Sequence, residues 1–372
     1  MRHLALLPRR AARLILPAVV ALTVIGGTAA IATSAAASPK PVRPATTFIW
    51  HPIPLENGWT SASVSTLVTG TPAWAISNGV VYLRGAIKES IGEDNSTFGQ
   101  LPKYAWPPST LYIQSFTAQE VPGIMLVNTD GSLEAYDGNS DTFASLSGIS
   151  YRAASATMTV HKLGLEHGWA SSQSNYGTGD PSYAISDGVV YLSGSMHQNT
   201  GTAHVAALLP KAARPAQVLH ILTYNFDGDS GYLQIMPTGQ IEAFGADAQD
   251  YTSLAAISWP APGAKWHNFA LDANWHSGAA KFHTAAPSYA VINGVVYLNG
   301  SMYQSPASTG LWTELPAATR TKTDVLEIEV AATGGNAGSI AITNSLGLVS
   351  SMPFANAEAF TSIAGVAYPQ SA

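Results

Sequence analysis

The chain has 372 residues, of which 46% are hydrophobic and 11% are charged, with a formal net charge of −6 and no cysteine. This much apolar surface excludes a disordered polyampholyte, and the lack of cysteine excludes disulfide bonds and thiolate chemistry. The net negative charge also predicts that no nucleic acid is a partner, since the phosphate backbone would be repelled.

The first 37 residues carry the pattern of an export signal. Four arginines precede an apolar stretch over 14–32, and three alanines follow at 35–37. This order predicts a signal peptide over 1–37, followed by a linker over 38–47. A retained anchor is the alternative, because the apolar stretch is nearly long enough to span a bilayer. We expect cleavage, which gives a secreted chain with no stable membrane span.

The rest of the chain repeats one pattern three times. Ser77–Leu83 reads SNGVVYL and returns as Ser186–Leu192 and Ile292–Leu298 with conservative changes. A tryptophan precedes each copy, and Leu-Pro follows it. Such repetition at nearly constant spacing predicts three tandem domains. We name them repeat 1 (48–152), repeat 2 (158–260) and repeat 3 (266–370).

Each repeat has the pattern of β-strands joined by tight turns. Asn-Gly or Asp-Gly between apolar runs favours a type I′ hairpin, because both turn positions need a positive φ. The Val-Val-Tyr-Leu run that follows suits a pleated sheet. Beyond residue 37, no segment has apolar residues repeated at helical spacing with capping residues at its ends. The predicted fold class is all-β, with three tandem β-sandwich domains of jelly-roll type.

The order of these motifs also resembles a known family. Gly-Trp, Asn/Asp-Gly-Val-Val-Tyr-Leu-x-Gly, Leu-Pro and then Arg-Pro, and a late Leu-x-Gly-Ile-x-Tyr are similar to the β-sandwich head domains of bacteriophage tail fibres and receptor-binding proteins. Repeat 2 matches best, whereas repeat 1 has Trp106-Pro107 and repeat 3 has Arg320-Thr321 in place of Arg-Pro. The resemblance implies recognition of a receptor or glycan. Because such heads assemble as homotrimers, it also implies an intrachain pseudo-trimer.

A histidine in each repeat is followed five residues later by an acid. The pairs are His51 with Glu56, His161 with Glu166, and His267 with Asp272. One interpretation is a repeated ligand or metal site. The other is a histidine that begins a strand and an acid in the turn before the tryptophan. Residues five apart in an extended segment point to opposite faces, which favours the second interpretation.

Aromatic side chains and variable loops supply the ligand-binding candidates. Trp59, Trp169 and Trp275 could stack on sugar rings, although their fixed place in the repeat favours a role as core anchors. Loops on a rigid scaffold commonly carry recognition. The loop candidates are Tyr176, His197, His204, Phe282, Tyr303 and Trp312.

Metal and catalytic motifs are weak in this sequence. Asn225, Asp227 and Asp229 alternate as in a calcium loop, but Ser230 replaces the required glycine and an acidic turn is the alternative. No nucleophile elbow, zinc motif or phosphate loop is present. We therefore predict no cofactor and no catalytic residue.

The sequence favours a secreted, non-catalytic recognition protein that binds carbohydrate or a cell-envelope polymer. Two alternatives remain open at this point. One is a structural or interaction protein of the cell surface. The other is an extracellular polysaccharide hydrolase whose carboxylates converge only in space.

Overall fold

A computed structural model describes the protein over most of the three repeats. The described residues are 48–63, 68–90, 95–272, 274–305, 311–321, 325–343, 348–352 and 358–370. The chain divides into two units, Met1–Val42 and Arg43–Ala372, and all described residues belong to the second. The predicted signal peptide and the linker after it lie outside the described residues.

In the described part of repeat 1, the chain forms short antiparallel strands in three sheets. The strands are β1 (His51–Pro52), β2 (Trp59–Ser61), β3 (Ala73–Ser77), β4 (Val80–Arg84), β5 (Ala86–Glu89), β6 (Thr97–Gln100), β7 (Leu111–Phe116), β8 (Pro122–Val127), β9 (Ser132–Tyr136), β10 (Ala144–Ser145) and β11 (Ser150–Arg152). Their orders are β1-β3-β4-β11, β10-β5-β2 and β6-β9-β8-β7.

Repeat 2 has the same plan, with one additional short strand at an edge. Its strands are β12 (Val160–Lys162), β13 (Gly164–Leu165), β14 (Trp169–Ser171), β15 (Ser182–Ser186), β16 (Val189–Ser193), β17 (Ser195–Gln198), β18 (Val205–Leu208), β19 (Leu219–Tyr224), β20 (Ser230–Ile235), β21 (Gln240–Gly245), β22 (Thr252–Ser253) and β23 (Ser258–Pro260). The sheet orders are β12-β15-β16-β23, β14-β17-β22 and β13-β18-β21-β20-β19.

Repeat 3 again forms three sheets in its described residues. Its strands are β24 (His267–Asn268), β25 (Trp275–Ser277), β26 (Ser288–Ile292), β27 (Val295–Asn299), β28 (Ser301–Gln304), β29 (Leu311–Glu314), β30 (Leu326–Ala331), β31 (Ala337–Ile342), β32 (Leu348–Met352), β33 (Thr361–Ser362) and β34 (Ala367–Pro369). The orders are β24-β26-β27-β34, β25-β28-β33 and β29-β32-β31-β30.

Helical structure in the described residues is limited to single turns. The two α-helical turns are α1 (Gln173–Tyr176) and α2 (Ala279–Phe282). The 3₁₀ turns are Lys103–Ala105, Ala118–Glu120, Lys211–Ala213, Phe226–Gly228, Ala317–Thr319 and Thr333–Gly335. No helix within these ranges is long and apolar enough to cross a membrane. The predicted all-β fold is therefore confirmed, and the antiparallel sheets are consistent with β-sandwich domains.

The hairpin turn predicted in each repeat is present. In repeat 1, Ser77 pairs with Val80, and the φ angles of Asn78 and Gly79 between them are 51° and 77°. The equivalent turns in repeats 2 and 3 also have two positive φ angles and the same pairing. The glycine after the second hairpin strand allows a close approach, since a Cβ on Gly85 would lie 2.8 Å from the Cα of Pro72.

Each repeat has a hydrophobic core that its neighbour helps to complete. The buried cluster of repeat 1 includes Ala255 of repeat 2, and that of repeat 2 includes Ala364 of repeat 3. Trp50 of repeat 1 packs, partly buried, against the cluster of repeat 3. The three cores are therefore linked in a cycle by side chains that cross between repeats.

The strands β7, β19 and β30, one from each repeat, lie against one another in pairs. At every pair, a buried serine hydroxyl of one repeat donates a hydrogen bond to a backbone carbonyl of the next. The pairs are Ser145 to Glu327 (2.7 Å), Ser253 to Tyr112 (2.7 Å) and Ser362 to His220 (2.6 Å). Repeat 1 thus bonds to repeat 3, repeat 2 to repeat 1, and repeat 3 to repeat 2.

A second contact among the repeats is made by the tyrosines of the repeated VVYL run. Tyr82, Tyr191 and Tyr297 lie close enough for their hydroxyl groups to influence one another electrostatically. Burial raises the pKa of all three, and that of Tyr191 reaches about 12. These residues form part of one apolar cluster with side chains from all three repeats.

Candidate functional site

The three repeats meet at junctions whose equivalent positions carry different side chains. The second residue of the contacting strand is Tyr112 in β7, His220 in β19 and Glu327 in β30. Each offers its backbone carbonyl to a serine of the neighbouring repeat, so the backbones are placed alike. The chemistry of each junction therefore depends on its side chains.

The junction of repeats 1 and 2 is filled by tyrosine rings. Tyr112 stacks on Tyr224 with ring centroids 5.8 Å apart, and it meets Tyr251 edge-on at 5.8 Å. Tyr176, at the end of α1, meets Tyr251 at 4.7 Å. Tyr251 is only 1% exposed, and burial raises the pKa of its hydroxyl. We call this set the tyrosine cluster; it leaves little room for a ligand.

The junction of repeats 2 and 3 instead contains an open groove of about 360 Å³. Its lining residues are His220, Tyr232, Lys281, Phe282, Ala332, Thr333, Gly334, Ala359 and Phe360. Apolar and aromatic side chains with a few polar groups are typical of a ligand-binding concavity. This groove is the candidate functional site.

The groove lies at the centre of a continuous row of rings that crosses from repeat 2 to repeat 3. We call it the aromatic row. In order, its members are His204, Phe244, Tyr232, His220, Phe360, Phe282, Tyr303 and His276. Successive ring centroids are between 4.4 Å and 6.1 Å apart. The outer histidines are exposed, most inner rings are half-buried, and Phe360 forms the floor.

Strand pairing places the repeat 2 half of the row on one sheet face. Tyr232 of β20 and Phe244 of β21 are direct cross-strand partners, and their rings stack at 5.1 Å. Aromatic cross-strand pairs of this kind stabilise a sheet. His204, directly before β18, stacks on Phe244 at 4.4 Å and extends the row toward that strand.

Two substitutions explain why this junction is open where the tyrosine cluster is closed. The last residue of β19 is Tyr224, whereas the last residue of β30 is Ala331. The following 3₁₀ turn begins with Phe226 in repeat 2, which contacts Tyr176, and with Thr333 in repeat 3. Repeat 3 therefore lacks two rings that fill the equivalent space in repeat 2.

Polar groups at the groove are few and specifically placed. The Nζ atom of Lys281 lies 4.3 Å from the ring centroid of Tyr303, within the range of a cation–π interaction. The Nε2 atom of His220 lies 2.9 Å from Oε1 of Gln234. Burial lowers the pKa of His220, although the bond to Gln234 opposes this effect.

The third junction, between repeats 3 and 1, carries buried acid. Glu327 is 6% exposed, and burial raises the pKa of its carboxyl to about 8, with a smaller contribution from the charge of Glu120. A neutral carboxyl is favoured at such a site because a buried charge without a partner is costly. This junction therefore differs from the other two in having no aromatic residue at this strand position.

The predicted tryptophans lie inside the cores. Trp59, Trp169 and Trp275 are 4 to 5% exposed. The indole N–H groups of Trp59 and Trp169 donate to the carbonyls of Asn95 and Ala203, at 2.8 Å and 2.9 Å. Of the two interpretations, this burial favours core anchors over sugar platforms. Trp312 is fully buried as well, because β29 directs it into the core of repeat 3.

The predicted histidine and acid pairs are all exposed, and each member has a local role. His51, His161 and His267 stack on the aromatic residue opposite them in the next strand, at 4.7 to 5.2 Å. The acids lie in the turn before each tryptophan. There the backbone carbonyl of each acid accepts a hydrogen bond from the backbone N–H of the tryptophan. This arrangement matches the structural interpretation of the pairs.

Three of the loop candidates meet in the aromatic row: His204, Phe282 and Tyr303. Tyr176 belongs to the tyrosine cluster instead. His197 is separate from both, since its Nδ1 lies 3.0 Å from Ser172 Oγ and its Nε2 lies 2.7 Å from Asn199 Oδ1.

The calcium-like sequence forms a turn. Asn225 is fully buried, and its amide donates to the carbonyls of Phe244 and Ala246. Burial and the nearby carboxylate of Asp247 raise the pKa of Asp229. Asp227 has a φ of 56° at the turn itself. Among the described residues, no group of three His, Cys, Asp or Glu side chains is arranged to hold a metal ion.

Sequence reasoning missed the residues of repeat 2 that line the groove, the floor of the groove and the neighbouring ring of Phe244. Tyr232 and Phe244 lie in strands with alternating burial, and Phe360 lies directly before β33, near the end of repeat 3. The available signal was the alternation itself, which places Tyr232 and Phe244 on the face opposite the core residues Leu233 and Ala243.

Comparison with protein-family models, curated proteins and solved structures gives no match to this chain.

Proposed function

We propose that this protein is a secreted recognition protein that binds carbohydrate along the aromatic row. The supporting observation is the row itself, in which eight rings from two repeats follow one another beside an open groove. The apolar C–H face of a sugar ring packs on an aromatic face, and Tyr, His and Lys supply hydrogen bonds to its hydroxyl groups. A row of rings suits several sugar units of a polymer better than one isolated sugar.

A glycan array probed with the purified protein tests the proposal. We expect binding to at least one oligosaccharide or cell-envelope polymer. Phe282→Ala removes a ring from the middle of the row and should weaken binding at least tenfold, about 1.4 kcal/mol. Tyr176→Ala is the matched control, because Tyr176 holds the equivalent place in the closed junction.

Two results would count against carbohydrate binding. The first is an array without signal above background. The second is equal loss of binding in Phe282→Ala and Tyr176→Ala, since general destabilisation and not the groove would then explain the loss. Circular dichroism of both variants establishes that each is folded before binding is compared.

We also infer that the three repeats form an intrachain pseudo-trimer. The cyclic serine hydrogen bonds, the shared tyrosine contact of the VVYL runs and the pairwise packing of β7, β19 and β30 support this arrangement. Small-angle scattering tests it. We expect a radius of gyration of about 20 Å, the value for one compact body of this size. A profile typical of three domains in a row would exclude the pseudo-trimer.

Export remains a proposal that depends on the first 37 residues. Their basic, apolar and small-residue order supports cleavage near residue 37. Sequencing the N-terminus of protein recovered from the culture medium is the direct test. Protein that stays in the membrane fraction with its first residues intact would favour the anchor.

A further inference from the structure

The contacting strands of the three repeats surround a small cavity that is distinct from the groove. Its volume is about 80 Å³, and residues of β7, β19 and β30 line it together with loop residues that precede or follow short strands. The fourth residue of each of these strands takes part: Gln114 in β7, Leu222 in β19 and Glu329 in β30. One backbone position thus presents an amide, an apolar chain and a carboxyl to the same space.

Five oxygen atoms of the lining residues are buried without a hydrogen-bond partner. They are both carboxyl oxygens of Glu329, Oε1 of Gln114, and the hydroxyl oxygens of Ser115 and Ser147. Buried polar atoms nearly always have a hydrogen-bond partner, so several unpaired oxygen atoms around one cavity require an explanation. Among the described residues that line the cavity, none is Lys, Arg or His.

This set of groups has the chemistry of a site for a hard cation. Calcium and related ions bind carboxylate, amide and hydroxyl oxygens and complete their shell with water. The cavity is large enough for an ion and a few water molecules, because one water needs only about 10 to 15 Å³ on this measure. A cation would also provide a positively charged partner for the buried Glu329 carboxylate, since no Lys, Arg or His within the described ranges lines the cavity.

We propose that this cavity binds a hard, oxygen-coordinated cation through Glu329 and Gln114, which occupy the equivalent position of β30 and β7, with water completing its shell. The ion would join repeat 1 to repeat 3, since Gln114 belongs to repeat 1 and Glu329 to repeat 3. The inference does not depend on carbohydrate binding. Calcium and sodium are the two cations to compare.

The test measures thermal unfolding of the purified protein after chelation and dialysis. Calcium chloride or sodium chloride is then titrated at constant ionic strength set by choline chloride. We expect one of the two cations to raise the Tm in a saturable way. At a hundred times its Kd, the ion should shift the unfolding equilibrium constant about a hundredfold.

Variants at the same strand separate a specific ion from a general salt effect. Glu329→Gln keeps the size of the side chain but removes its charge, and it should abolish the response to the cation. Glu327→Gln is the matched control, because Glu327 is also a buried acid of β30 but does not line the cavity. Its response should equal that of the wild type.

The proposal is overturned if neither cation raises the Tm of the wild-type protein. It is also overturned if Glu329→Gln responds as the wild type does. Should Glu329→Gln fail to fold, Gln114→Leu provides the second variant, since leucine already stands at the equivalent position in β19. Gln114→Leu should weaken the response at least tenfold, and an unchanged response would equally exclude the site.

Discussion

The junction of repeats 1 and 2 and that of repeats 2 and 3 use equivalent strands and the same serine hydrogen bond, yet only the first is closed. Tyr224 and Phe226 fill it with rings, whereas Ala331 and Thr333 leave the second open. The backbone therefore supports either a packed interface or a ligand groove. Two side chains decide between them, one at the end of a strand and one at the start of the turn that follows.

The largest effect on stability is expected when a ring is removed from the closed junction. Tyr224→Ala should lower the free energy of unfolding by about 3 to 5 kcal/mol, because it leaves a cavity beside Tyr112 and Tyr251. Urea denaturation measures the change. Tyr104→Ala is the control, since Tyr104 is 52% exposed and should cost much less. Equal costs for the two variants would show that the tyrosine cluster does not stabilise the junction.

The serine hydrogen bonds offer a test of what the junctions share. Ser253→Ala and Ser362→Ala should each cost about 1 to 3 kcal/mol, because a buried carbonyl of the next repeat loses its donor. We expect the two costs to be similar although one junction is closed and the other open. Urea denaturation again provides the values, with Ser155→Ala as an exposed control. A cost confined to Ser253→Ala would mean that the open junction is held by other contacts.

Filling the open junction tests the comparison from the other side. Thr333→Phe places a ring where Phe226 stands in repeat 2, so it should occupy the groove and weaken carbohydrate binding about tenfold, or 1.4 kcal/mol. Titration with a glycan identified on the array measures the affinity. The reciprocal change Phe226→Thr should leave the affinity unchanged. Full affinity in Thr333→Phe would mean that the ligand binds elsewhere.

Local chemistry made much of the fold predictable. The Asn-Gly and Asp-Gly turns need positive φ at two adjacent residues, and this requirement is met within four residues of chain. The Val-Val-Tyr-Leu strands follow directly from the same turns. These features depend on neighbours in sequence, so a single chain reveals them.

The groove was less predictable because it depends on contacts between repeats. In the sequence, Phe282 belongs to a variable loop and Phe360 to the last part of repeat 3. Nothing local indicates that His220 of repeat 2 lies between Phe360 and Tyr232. Trp312 shows the opposite case, since its variable segment suggested a loop but forms β29 and directs the indole inward. Whether a candidate residue lies in the aromatic row or in a core therefore depends on contacts between residues that are far apart in the sequence.

The smallest expected effect concerns the pH dependence of the open junction. His220 lies half-buried between Tyr232 and Phe360, with Gln234 beside it and Lys281 across the groove. Burial lowers its pKa in the folded protein below the value of about 6.5 expected for the unfolded chain. The stability that this residue contributes is therefore complete above about pH 6.5. It is lost as the pH falls from there through the lowered folded pKa, because the unfolded chain binds the proton more readily.

The difference between wild type and His220→Gln isolates this contribution. Urea denaturation of both proteins across the acidic range gives two curves, and subtracting them removes the groups that they share. We expect the advantage of the wild-type protein to shrink as the pH falls below 6.5. Protonation would also put a charge between two rings of the aromatic row, so carbohydrate affinity should fall over the same interval. A difference that stays constant with pH would show that His220 is as easily protonated in the folded groove as in the unfolded chain.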